Sequence, residues 1–156
     1  MRAKLELFSL NNSPFSKDLE IAKKEAEKSR HKIRHGALIV DKKRKIYLTG
    51  SNSSADCLAP FWIVYSKWRP NRMRHAEISA LAKTPCKNVM KIFNLEPIDV
   101  LRGATVFTYR LSKTGITGVS RPCPKICWPA LKALGFKDAV YIIRYNGELM
   151  VAHEYF

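Results

Sequence analysis

Pro122 to Gly135 reads PCPKICWPALKALG. Two of the chain's four cysteines, Cys123 and Cys127, stand four positions apart here, with a proline on either side of the first. Helix formers follow until Gly135 stops them. Thiols at i and i+4 of one helix face the same side. The start of a helix also favours negative charge, which lowers thiol pKa and promotes the thiolate. Pro122 suits the approach to such a helix, because its ring fixes φ and it has no amide to leave unpaired. The stretch therefore predicts a helix that offers two thiolates to one partner.

Downstream, AVYIIRY, the turn NG and ELMVAHEYF predict two strands joined by a tight hairpin. Upstream, ATVFTYRL predicts a strand and HAEISALAK a helix, with Ile78, Leu81 and Ala82 at apolar positions. Before these come GALIVD as a buried strand, KKRK as a charged turn and IYLTG as the returning strand. SPFSKDLEIAKKEAEKS predicts the first helix, capped by Ser13 or Ser16, with Leu19, Ala22 and Ala26 at helical spacing. The order is helix, two strands, helix, strand, helix, two strands. With the two later helices as crossovers, this predicts a layered α/β sandwich around one mixed sheet.

At 156 residues, with 46% hydrophobic residues and no internal repeat or linker, the chain reads as a single domain over 1–156. No run is apolar and long enough for a membrane span, and MRAKLELFSLNNSPFSK is too interrupted for a secretory signal. A reducing, cytoplasmic setting is expected, where cysteines serve as thiols or metal ligands. The net charge of +15, from 28 basic and 13 acidic residues, favours polyanions as neighbours. It is concentrated between Arg30 and Lys45, with seven bases against Asp41, and at Lys67, Arg69, Arg72 and Arg74.

Two helices begin with residues suited to a borderline metal. One opens on His75, with Glu77 two positions on; the other opens at Cys123 and Cys127. Zinc prefers imidazole and thiolate, and a catalytic zinc keeps three protein ligands and one open position. His75, Cys123 and Cys127 form such a set, and Glu77 is a carboxylate placed to move protons beside it. One Zn2+ per chain is expected.

HAE followed by PC and a second cysteine resembles the zinc-dependent cytidine and deoxycytidylate deaminase superfamily, whose signature is H-x-E…P-C-x-x-C. RHGALIVDKKRKIYLTGSN resembles its first hairpin, ATVFTYR its third strand, and SRPCPKICWPALKALGFKDAVYI its zinc helix and fourth strand. The resemblance implies a three-layer α/β/α sandwich with a five-stranded mixed sheet and a C-terminal antiparallel hairpin. It implies zinc on His75, Cys123 and Cys127, and Glu77 as the proton shuttle. It also implies substrate contacts at Asn52, Ala76, Ser120, Pro122 and Trp62, with Asn52 on the sugar and the Ala76 and Cys123 amides on the base. Three residues separate the cysteines, against the usual two, and the long interval from Glu77 to Pro122 implies an insertion around 85–103.

Family branches that act on tRNA or polynucleotides carry a helix between their last two strands. The NG turn leaves no room for one, so the resemblance is closest to free-nucleoside and small phage-type deaminases. The expected activity is deamination of cytosine to uracil in a nucleoside or nucleotide. A single-stranded DNA or RNA substrate is the alternative. APFWIVYSKWRPNRMR mixes Trp62, Tyr65 and Trp68 with bases in the manner of single-strand binders, although the same aromatics would serve as a pocket wall. A reading of another class is a non-catalytic module with zinc as a staple and a nucleic-acid-binding surface; structural zinc, however, normally takes four protein ligands. Cys57 and Cys86 read as core or loop thiols, and His31, His35 and His153 have no partner visible in the sequence. A homo-oligomer follows from the family habit.

Overall fold

A computed structural model describes residues 4–53, 75–84 and 96–156. The segment APFWIVYSKWRPNRMR, with Trp62, Lys67, Arg69, Arg72 and Arg74, lies outside the described residues, as do Cys57 and Cys86. In chain order the elements are β1 (Leu5–Ser9), α1 (Ser16–Glu27), β2 (Arg34–Val40), β3 (Tyr47–Ser51), α2 (Ala76–Leu81), β4 (Thr105–Leu111), β5 (Thr117–Gly118), α3 (Cys127–Ala133), β6 (Asp138–Tyr145) and β7 (Glu148–Tyr155). No helix among the described residues is long and apolar enough to cross a membrane.

The strands form one mixed sheet in the order β1-β7-β6-β4-β2-β3, with β5 paired to β4. It has seven strands rather than five. The two additional ones are β1, antiparallel to β7, and the two-residue β5. β4 and β6 run parallel, as a crossover through α3 requires. β6 and β7 are antiparallel across Asn146 and Gly147, both with positive φ, which is the turn type an NG pair favours.

Strand alternation divides the core into two layers. Ala37, Ile39, Val106, Ala139 and Tyr141 face α2 and α3. Leu38, Val40, Phe107, Val140 and Ile142 face α1. The expected three layers are therefore present. α1 starts at Ser16 with Phe15 in the cap position and no side-chain cap, so neither Ser13 nor Ser16 caps it as expected. The Ser13 hydroxyl accepts instead from the Phe15 amide at 3.0 Å, one residue before the helix.

The third helix departs from expectation at its start. It begins at Cys127, not Cys123, and residues 124–126 form a turn. Pro124 is the cause: a residue before proline is driven away from helical angles, so Cys123 cannot be a helical residue. Its carbonyl instead accepts from the Trp128 amide at 2.9 Å. The helix ends as the sequence predicts, with Gly135 at φ 94 and the Phe136 amide returning to the Leu131 carbonyl.

Two close approaches seat the helices on the sheet. A Cβ at Gly36 would lie 2.0 Å from the Ala22 carbonyl oxygen of α1. One at Gly50 would lie 2.4 Å from the Ala80 nitrogen and 2.6 Å from the Ala76 oxygen of α2. Gly50 thus lets α2 lie directly on β3. Gly50→Ala is expected to displace α2 and cost at least ~2 kcal/mol, lowering Tm by about 2–4 °C for each kcal/mol in a domain of this size. Gly118→Ala, whose Cβ would meet only the Arg110 side chain at 3.4 Å, should be nearly neutral. Thermal unfolding of the two variants side by side checks the contrast.

Candidate metal centre and pocket

α2 and α3 point their first turns at one place. His75 is the residue that caps α2, in an extended conformation, and its carbonyl accepts from the Ser79 amide at 3.0 Å. Glu77 lies in the first turn of α2 and Cys127 opens α3, and both are buried. The His75 Nδ1 is 3.3 Å from the Cys127 Sγ. That sulfur is 3.5 Å from Glu77 Oε2. The donor atoms of all three residues lie within 4.8 Å of one another, the one such group found among the described residues.

These separations fit one ion. Bonds of about 2.0 Å to nitrogen and 2.3 Å to sulfur at a tetrahedral angle put the two donors roughly 3.5 Å apart. The electrostatics agree. Burial pushes the Cys127 thiol well above its ordinary range, and the Glu77 and Cys123 charges push it further. Burial likewise raises the Glu77 carboxyl, opposed by its own backbone amide and by Cys127. A buried site that resists both negative charges accepts them once a cation is present.

Beside this group is a pocket of about 120 Å³. Of the residues expected from the sequence, Asn52, His75, Ala76, Glu77 and Cys123 line it. Cys123 is half-buried and stands outside the tight donor group. Asn52 is buried and rigidly held: its Oδ1 accepts from the His35 amide, and its Nδ2 donates to the Ile33 carbonyl, each at 2.9 Å. Ser120 and Pro122 are buried, but neither is among the pocket's lining residues. The Ser120 hydroxyl donates to the Thr108 carbonyl at 2.9 Å and accepts from the Ile142 amide at 2.8 Å, so it ties this segment to β4 and β6.

Two wall residues were not assigned from the sequence. His35 is one, and its signal was the hairpin register. Gly36 pairs with Ser51, so the residue before one lies beside the residue after the other, Asn52. Arg121 is the second, directly before Pro122. Its side chain is fixed by Glu154 and the Tyr141 hydroxyl, each at 3.3 Å, and lies 4.5 Å over the Trp128 ring.

Burial, helped by Arg110 across the β2–β4 pair, lowers the His35 pKa to about 4. Above about pH 6.5 the imidazole is neutral in both the folded and unfolded states and contributes nothing. Below that, the unfolded chain takes up a proton that the folded chain refuses until about pH 4. Stability therefore falls across this window, by roughly 3 kcal/mol in full. His35→Gln is expected to remove that share of the acid loss, read as a smaller drop in the urea midpoint between pH 6.5 and 4.5.

Neither comparison with curated proteins nor comparison with solved structures finds a match. Residues 14–143 match the family model described as the cytidine and deoxycytidylate deaminase zinc-binding region.

Proposed function

This chain belongs to the cytidine and deoxycytidylate deaminase zinc-binding family, and from that premise we propose that it is a single-domain, cytoplasmic hydrolase converting cytosine to uracil in a (deoxy)cytidine nucleoside or nucleotide. The observation that carries the reading is the convergence of His75, Glu77 and Cys127 beside a pocket lined by Asn52 and Ala76. His75, Cys123 and Cys127 would hold the metal, Cys123 joining from the pocket wall. When bound, zinc supplies Lewis-acid activation that makes hydroxide available near neutral pH.

The chain's own residues supply the rest. Glu77, buried and with its carboxyl raised, takes the proton of the attacking water and passes it to N3 of the ring. Water adds at C4, the C4–N bond breaks, and Glu77 hands a proton to the departing ammonia. The balance is cytosine plus water giving uracil plus ammonia. The backbone amides of Ala76 and Cys123 are suited to the base, and Asn52 to the sugar. The neutral His35 offers an uncharged wall to a neutral ring.

The two-residue β6–β7 turn supports a small substrate, because the polynucleotide branches of the family place a helix there. The net charge of +15 supports the alternative, a cytosine in single-stranded DNA or RNA. For the chemistry, Glu77→Gln is expected to lower kcat by at least ~10²-fold while zinc content, measured by atomic absorption, stays at one per chain. Near-full turnover in that variant would remove Glu77 from the mechanism.

A further inference from the structure

Past Asn52 the pocket gives way to a second hollow, and the two share that residue as a common wall. The hollow is about 380 Å³ against about 120 Å³ for the pocket, so it has room for what a base attached to Asn52's side would carry outward. Its walls are the loop between α1 and β2 on one side and the end of β3 on the other. The loop contributes Lys28, Arg30 and His31; the strand end contributes the hydroxyls of Ser51 and Ser53. Among the described residues no carboxylate lines it.

The two walls are tied together. The Ser29 hydroxyl donates to the Asn52 carbonyl at 3.0 Å and accepts from the His31 amide at 3.3 Å. The Asn52 amide in turn donates to the His35 carbonyl at 3.1 Å. The loop is therefore fixed in register with the residue suited to the sugar. Its charges are not equally available. Lys28 is neutralised by Glu25 at 2.8 Å. Arg30 is exposed and has no ion pair or hydrogen bond among the described residues. An unpaired guanidinium on the same hollow as Ser51, with no acid among the described wall residues, matches a phosphate group: the planar fork meets two oxygens and a serine hydroxyl donates to a third.

We propose that this hollow binds a phosphate carried by the sugar of the substrate, with Arg30 as its main ligand and His31, Ser51 and Ser53 around it. The inference rests on the deaminase reading for the identity of the base. It makes the preferred substrate a nucleotide and not a bare nucleoside. The phosphate is either a terminal monoester or a backbone diester, since both present the same anionic oxygens.

The test uses the zinc-loaded protein with deoxycytidine, deoxycytidylate and a short single-stranded oligonucleotide holding one cytosine. Deoxycytidylate is expected to exceed deoxycytidine by about tenfold or more in kcat/KM, the scale of one charge-assisted contact. Arg30→Ala should bring that ratio close to one, chiefly through KM, and Arg30→Glu should invert it. An oligonucleotide favoured over both, with the same Arg30 dependence, puts a backbone phosphate in the hollow. Equal rates for nucleoside and nucleotide, or a preference that both Arg30 variants leave intact, would overturn the site while leaving deamination standing. Direct binding of deoxycytidine and deoxycytidylate to the Glu77→Gln protein separates the reverse case. Tighter, Arg30-dependent nucleotide binding without any turnover by the parent protein would uphold the site and end the deaminase reading.

Discussion

His75 Nδ1 and Cys127 Sγ are 3.3 Å apart across 52 positions of chain. That encounter is what the sheet is arranged to produce. α2 can reach it only because β3 offers Gly50, where any side chain would strike the helix backbone. α3 can reach it because its helix is delayed to Cys127, which puts the buried sulfur at the helix start rather than a turn inside it. Both helices lie on the same face of the sheet, and among the described residues α1 is the helix on the other. The half of the core under α2 and α3 builds the site, and the half under α1 supports it.

The site pairs two buried groups that are each poor at carrying charge alone. Burial raises the cost of ionising both; the Glu77 charge adds to that of Cys127, while a hydrogen bond from Cys127 partly offsets that of Glu77. On the proposed reading, a divalent cation would relieve the Cys127 cost and leave Glu77 to exchange protons. Family membership, the donor spacing and the direction of these shifts therefore meet on the same chemistry. Around it, the walls are held by contacts within the fold. Asn52 is bonded to the backbone of the 33–35 segment, and Arg121 is clamped by Glu154, Tyr141 and Trp128.

Much of this is legible in the amino acids because the strong signals are local. GALIVD reads as a buried strand, NG joins AVYIIRY and ELMVAHEYF as the last hairpin, and Gly135 marks the end of α3. The weaker elements lack such signals. LELFS is a half-exposed edge strand whose partner, β7, lies some 140 positions away. β5 is two residues long, too short for any period to register. At the start of α3 two signals conflict: the i,i+4 spacing of the cysteines favours a helix from Cys123, and the conformational limit that Pro124 sets on Cys123 opposes it and prevails. His35 and Arg121 share a cause: each lines the pocket through its neighbours in the fold, and neither residue type announces that role. Their sequence clue was adjacency to residues that did.

The most direct measurement of the central claim is zinc K-edge absorption spectroscopy on purified protein. One ion per chain bound by one imidazole nitrogen and two sulfurs, with a fourth light-atom position, is the predicted result; bonds should fall near 2.0 Å to nitrogen and about 2.3 Å to sulfur. A site with four protein ligands of which three or more are sulfur, a single sulfur with Glu77 in the coordination shell, or protein that takes up no stoichiometric metal would contradict it.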